Sequence, residues 1–209
     1  MLALEDSNPE LVKEWHPTKN RLLSISDVSA HTSKKVWWVC DKGHEWEAPV
    51  SNRSGVKRSG EKTGCPVCAN RRLLQGFNDL ATTYPHLAEE WHRFKNSFGS
   101  NEVLAVSTKK VWWVCSKGHE WEAQVRARTR MKGTGCPYCA GNKVITGITD
   151  LATINPSLAK QWDKEKNGNL DPSQVLPSSM VKVWWMCENG HSVQATVNYR
   201  SRNNCGYCF

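Results

Sequence analysis

Cys40 and His44 stand four residues apart with Gly43 before the histidine, and Cys65 and Cys68 follow as a Cys-x-x-Cys. The same set returns as Cys115, His119, Cys136 and Cys139, and again as Cys187, His191, Cys205 and Cys208. All nine cysteines are used, three to a set, each set with one histidine. Thiolate sulfur and imidazole nitrogen are the ligands of tetrahedral zinc, and a short spacing lets one turn of chain supply two of them. Three Cys3His sites are expected, with Zn2+ as cofactor, three ions per chain. Four protein ligands close such a site, whereas a catalytic zinc keeps one position open, so the metal is expected to be structural and the chain not to be an enzyme. Iron is the lesser alternative. Secreted cysteines would pair as disulfides and nine would leave one over, so the pattern suits a reducing, cytoplasmic compartment.

The elements around these ligands repeat with them. Val36-Trp37-Trp38-Val39-Cys40 recurs as Val111-Trp112-Trp113-Val114-Cys115 and Val183-Trp184-Trp185-Met186-Cys187, at periods of 75 and 72 residues. The β-branched and aromatic content reads as a strand. Beyond the histidine, Trp121, Ala123, Val125 and Ala127 alternate with polar residues, and the other copies do the same. A half-buried hairpin with one wet face is expected, carrying that alternation as far as Arg128. The 20, 16 and 13 residues between each histidine and its Cys-x-x-Cys place the length variation in a loop.

Upstream, Asn8-Pro9, Tyr84-Pro85 and Asn155-Pro156 open segments in which Leu11/Trp15, Leu87/Trp91 and Leu158/Trp162 lie four apart. Proline at the first helical position and apolar residues four apart predict a short helix with one buried face. Asp79 and Asp150 predict a preceding helical turn in the second and third copies. Val28, Val103 and Val175 each stand twelve residues before the first ligand, which implies a structured connection. The expected fold is a small, metal-stabilised α+β array of three tandem zinc-ribbon or treble-clef-like modules, over residues 1–74, 75–146 and 147–209. Each is a short helix plus a zinc-bound β-hairpin. Modules this small commonly need a metal staple. A treble clef would place the second Cys pair at the start of a helix; Phe209 directly follows Cys208, which favours a ribbon-like core.

The chain carries 28 basic and 20 acidic residues, net +8. Three zinc-thiolate sites would lower that to about +5. The bases concentrate between the hairpin and the second Cys pair: Arg53, Lys57, Arg58 and Lys62; Arg126, Arg128, Arg130 and Lys132; Arg200 and Arg202, against Glu61 alone. Arg53, Arg128 and Arg200 all lie nine residues after the ligand histidine and are expected on the wet strand face, facing phosphate or base edges. Lys34, Lys35, Lys109, Lys110 and Lys182 add charge before the tryptophan pairs. The bland alternative is a solvated face. One tryptophan of each pair is expected inward and the other facing out, where it could stack on a base, or more often packed against the upstream helix; Glu45/Glu47 and Glu120/Glu122 read as solvated, and His16 and His92 are assigned no catalysis.

The run Asn-Pro-x-Leu-x3-Trp, Lys-x-Val-Trp-Trp-x-Cys-x2-Gly-His-x-Trp and Gly-Cys-Pro-x-Cys resembles the zinc-ribbon, or treble-clef-like, repeat family of bacterial, phage and giant-virus proteins. The resemblance spans essentially the whole chain as three copies, the third departing at Ser192, Val193 and Gly206. Such repeats sit in tandem, sometimes beside very-short-patch-repair-like endonuclease domains, which implies DNA targeting. The expected partner is nucleic acid, double-stranded DNA in preference to RNA. No membrane or small-molecule substrate is expected: no apolar run approaches a membrane span, and no signal peptide is expected. The alternatives are a protein-binding zinc adaptor, or the targeting part of a nuclease whose catalytic domain lies elsewhere.

Overall fold

The computed structural model describes residues 3–55 and 62–208. These divide into two compact units, Met1–Trp112 with Ala123–Arg130, and Trp113–Glu122 with Met131–Phe209.

Each repeat is built on a two-stranded sheet. Strand β1 (Lys35–Val39) pairs antiparallel with β2 (Glu45–Pro49), placing Trp38 opposite Trp46 and Trp37 opposite Glu47. Strands β3 (Lys110–Val114) and β4 (Glu120–Gln124) form the second sheet. Strand β5 (Lys182–Met186) pairs with β6 (Ser192–Thr196), Trp184 opposite Gln194. Period-2 alternation holds within each pair: Val36 and Trp38 are buried while Lys35 is exposed.

The alternation does not continue to the arginines. Val50–Ser54, Val125–Thr129 and Val197–Arg200 are short helices, not strand. The partner strand has run out at this point. The Val50 N–H donates to Lys34 O at 3.1 Å, and the next, Ser51 N–H, turns back to Thr32 O at 3.0 Å; the second and third repeats do likewise. A helix puts residues three apart on one face. Each valine and its arginine therefore point inward together, which an extended chain would have forbidden.

The upstream segments form as the leucine and tryptophan spacing predicts. Pro9–Glu14 is a 3-10 helix, and Pro85–Glu89 and Pro156–Ala159 are α-helical. Their leucines are buried, and Trp15 and Trp162 meet Trp38 and Trp185 edge-on at 5.6 and 5.2 Å between ring centroids. Asp79 and Asp150 cap the helical turns Leu80–Thr83 and Leu151–Ile154 through the Thr82 and Thr153 N–H groups. A matching turn, Leu4–Ser7, occurs in the first repeat without a side-chain cap. The constant valines tie these turns down: Val28, Val103 and Val175 are buried, and their carbonyls accept from Leu4, Leu80 and Leu151 at 2.8, 2.9 and 2.8 Å.

The outer edge of the first strand would be left open. In each repeat one asparagine closes it. Asn20 accepts from the Trp37 N–H at 2.8 Å and donates to the Trp37 carbonyl at 2.9 Å; Asn96 does this for Trp112 and Asn167 for Trp184. The N–H groups of His16, His92 and Asp163 also donate to those carbonyls, each at 3.1 Å. Side chains thus stand in for a third strand, which removes the hazard of a bare edge. Among the described residues no helix is long and apolar enough to cross a membrane. Asn167→Ala, which deletes two hydrogen bonds to Trp184, should cost about 1–3 kcal/mol in denaturant unfolding of the zinc-loaded protein, with faster hydrogen exchange at the Trp184 amide.

Candidate metal centres

The first two ligands of each site come from the hairpin turn. Cys40 follows β1 directly and His44 precedes β2. The Cys40 N–H donates to His44 O at 3.0 Å and the Gly43 N–H to Cys40 O at 2.9 Å. Gly43, Gly118 and Gly190 adopt φ of 77°, 79° and 79°, the left-handed region that glycine enters freely. The tight turn expected from their position is formed.

The remaining two ligands arrive from the loop. Around His44 Nδ1 the sulfurs of Cys40, Cys65 and Cys68 stand at 3.5, 3.7 and 3.3 Å, and Cys40 Sγ lies 3.9 Å from Cys68 Sγ. In the second site Cys115, Cys136 and Cys139 lie 3.5, 3.7 and 3.4 Å from His119 Nδ1. In the third, Cys187, Cys205 and Cys208 lie 3.4, 4.0 and 3.5 Å from His191 Nδ1. Two ligands held at about 2.0–2.3 Å in a tetrahedron are roughly 3.5–3.8 Å apart, so each quartet fits one zinc ion. All nine cysteines are free thiols, and the three quartets are the sets expected from spacing.

Charge makes the same demand. Burial opposes ionisation of Cys187, but N–H groups of His191 and Asn189 and the neighbouring thiols outweigh it and lower its pKa to about 6. Cys40 and Cys115 are lowered too, backbone N–H groups of Lys42 and Lys117 overcoming burial. Burial, then the adjacent sulfurs, push Cys68 and Cys139 up to about 11. Without a cation only part of each sulfur set would ionise at neutral pH; bringing all three sulfurs to thiolates calls for a metal ion among them. An aromatic ring packs beside each ligand histidine: Phe77 at 4.3 Å from His44, Tyr138 at 5.4 Å from His119, and Tyr207 at 5.8 Å from His191.

The arginines repeated in register are not on a wet face. Arg53, Arg128 and Arg200 are 3%, 7% and 5% exposed. Arg53 bonds Glu14 on the upstream helix and the Thr63 carbonyl before the second Cys pair, and its guanidinium lies 5.2 Å from the Trp38 ring. Arg128 pairs with Glu90 at 2.8 Å. Arg200 bonds Gln161 and the Asn203 carbonyl and lies 5.8 Å from the Trp185 ring. Arg53 and Arg200 thus clamp the upstream segment to the loop across the core tryptophan, and Arg128 is tied to Glu90, so none of the three stands on the outer surface. Lys34, Lys35, Lys109, Lys110, Arg126, Arg130, Lys132 and Arg202 are exposed. Lys57 and Arg58 lie outside the described residues.

The remaining polar residues are structural. His16 Nδ1 accepts from the Thr18 and Lys19 N–H groups, His92 Nδ1 from Lys95 N–H, and Asp163 Oδ1 from Lys166 N–H. An acceptor capping a turn explains why histidine and aspartate exchange there. Glu45 binds His16 Nε2 at 2.8 Å and also Lys19.

The family described as a probable treble clef zinc finger domain matches residues 11–71, 87–142 and 158–209. The chain belongs to this family. No curated protein matches it. A treble clef places its second ligand pair at the start of a helix. Here the chain makes a single turn instead, Ala69 N–H to Cys65 O and Ala140 N–H to Cys136 O at 3.0 Å, and Cys208 N–H to Cys205 O at 3.1 Å in the third repeat. The family description names a treble clef where the position of Phe209 favoured a ribbon-like core.

Metal analysis of the purified chain should return three zinc ions. Protons compete for every ligand, so zinc content should fall as pH is lowered. Cys136→Ser should reduce the stoichiometry to two and unfold the second repeat. Arg128→Ala should keep all three ions at neutral pH yet lose roughly 2–3 kcal/mol in denaturant unfolding. That is less than the 3–5 kcal/mol of a fully buried pair, because Glu90 is 33% exposed. Arg128→Lys should not restore the loss, since lysine lacks the planar fork.

Proposed function

We propose that this chain binds nucleic acid, double-stranded DNA in preference to RNA, as a tandem array of structural zinc fingers. Zinc fingers of this kind take nucleic-acid or protein partners. The observation that carries the DNA reading is a cluster in the second repeat. The Val125 N–H donates to Lys109 O at 3.1 Å and the Arg126 N–H to Ser107 O at 2.8 Å, while the Arg130 N–H reaches Arg126 O at 3.2 Å. These bonds gather the exposed Lys109, Lys110, Arg126 and Arg130 around one short helix. Neither segment 105–113 nor segment 123–132 contains an acid. Four exposed cations with no acid among them suit the closely spaced charges of a nucleic-acid backbone. Lys34 and Lys35 occupy the corresponding edge of the first repeat.

The array positions and does not cut. Each zinc has four protein ligands, which leaves no site for substrate, so any chemistry on DNA belongs to a separate effector such as a nuclease. Nine free thiols suit a reducing, cytoplasmic setting.

Replacing Lys109, Lys110, Arg126 and Arg130 together by alanine should leave zinc content and unfolding midpoint unchanged. It should weaken duplex binding and flatten the slope of log K against log salt by about 3–4, near 0.9 per lost phosphate contact. An unchanged slope would move the contact surface elsewhere. A wild-type chain that binds no nucleic acid at low salt would support the protein-adaptor alternative.

A further inference from the structure

The third repeat differs from the other two on the outward face of its hairpin. In the first two repeats that face carries Glu45 and Glu47, or Glu120 and Glu122. In the third the same positions are Ser192 and Gln194, and segments 176–184 and 192–204 hold no acid at all. Lys182 and Trp184 lie on this face of β5, paired with Thr196 and Gln194 of β6. Lys166 Nζ lies 4.8 Å from the Trp184 ring centroid and 2.7 Å from Ser192 Oγ. In the first repeat the corresponding Lys19 also lies over its tryptophan, Trp37, at 4.5 Å, but bonds Glu45 where Lys166 bonds Ser192.

The face continues past the strand. The Tyr199 N–H donates to Thr196 Oγ1 at 3.2 Å, which holds the Tyr199 backbone at the strand end, where Thr196 pairs with Lys182. The residue is 56% exposed. The same position is Ala127 in the second repeat and Asn52 in the first, so only the third offers an aromatic ring there. An exposed tyrosine at the strand end, a half-buried tryptophan, Lys166, Lys182 and a glutamine amide thus belong to a hairpin whose strands carry no carboxylate; the buried Asp163 lies 3.9 Å from Lys166 Nζ.

We propose that this face of the third repeat binds unpaired nucleic acid, with Tyr199 stacking on a base and Lys166 and Lys182 following the backbone. Stacking needs only a base's π-face, and cations flanking an exposed ring are the recurring means of holding single strands. A duplex buries those π-faces and gives Tyr199 nothing to stack on. The proposal rests on the nucleic-acid reading above and deepens it: the second repeat holds duplex backbone and the third holds an adjoining unpaired strand.

The test uses the full zinc-loaded chain, a labelled oligothymidine and a labelled duplex of the same length, followed by fluorescence anisotropy. Tyr199→Ala should weaken oligothymidine binding roughly tenfold and change duplex binding less than twofold, and Tyr199→Trp should restore it. The double change Ser192→Glu and Gln194→Glu, which returns the acids of the other repeats, should weaken oligothymidine selectively as well. Tyr199→Ala affecting both probes equally, or neither, with duplex binding intact in the wild type, overturns this proposal and leaves the duplex reading standing. Binding of neither probe by the wild type overturns both. Displacement of oligothymidine by polyglutamate at equal charge concentration would assign the face to acidic protein segments and overturn it too.

Discussion

A hairpin of two five-residue strands cannot hold itself together in water, because it buries too little and leaves both edges open. The rest of each repeat answers that deficiency from a different side. The ligand pair in the hairpin turn ties one end to the distant Cys-x-x-Cys, a loop closure that the metal maintains. The asparagine amide closes the free edge of the first strand. The upstream helix covers the inner face with a leucine and a tryptophan set edge-on to the core tryptophan. In the first and third repeats the buried arginine then locks upstream segment, core ring and metal loop together, and in the second it holds Glu90. Where metal and arginine both act on the loop, neither substitutes for the other.

What could be read from the chain follows from how local each interaction is. The ligands, the knuckle glycines and the strand before each first cysteine involve neighbours within a few residues, and spacing alone revealed them. The arginine clamps were not legible as such, since their partners Glu14, Glu90 and Gln161 stand 39, 38 and 39 residues upstream. The period-2 pattern misled for a related reason. Val-x-x-Arg reads as one residue in and one out on a strand, and only the end of the partner strand turns it into a helix with both inward. The paired amide of Asn20, Asn96 and Asn167 left one signal that spacing could have exposed: a Lys-Asn dipeptide 19 or 20 residues before each first ligand.

Comparison among the three repeats helps to separate interior from surface. The arginine after the histidine and the second tryptophan keep one residue type in all three copies and are buried, whereas the lysine that opens each first strand is equally constant and exposed. Differences between the repeats at positions exposed in at least one copy are what could distinguish their partners. Ser51, Arg126 and Asn198 occupy one site of the short helix, and Glu47, Glu122 and Gln194 one site of the second strand. Constancy of the arginines, which suggested a repeated contact, is the mark of a repeated clamp.

That division has a consequence for how the array would engage a polyanion. Three identical cationic faces would bind additively and indifferently, whereas these repeats differ in charge at matching sites. The second gathers four cations around one short helix; the third has no carboxylate on its hairpin strands and an exposed tyrosine beside them. Joined by about ten residues, repeats of unequal chemistry gain from effective concentration only when both surfaces find their ligands on one molecule. A target presenting paired and unpaired strands side by side satisfies that condition, and a uniform duplex satisfies half of it. Selectivity would then arise from the combination of faces, with each zinc cluster contributing only the stiffness that keeps its own face in place.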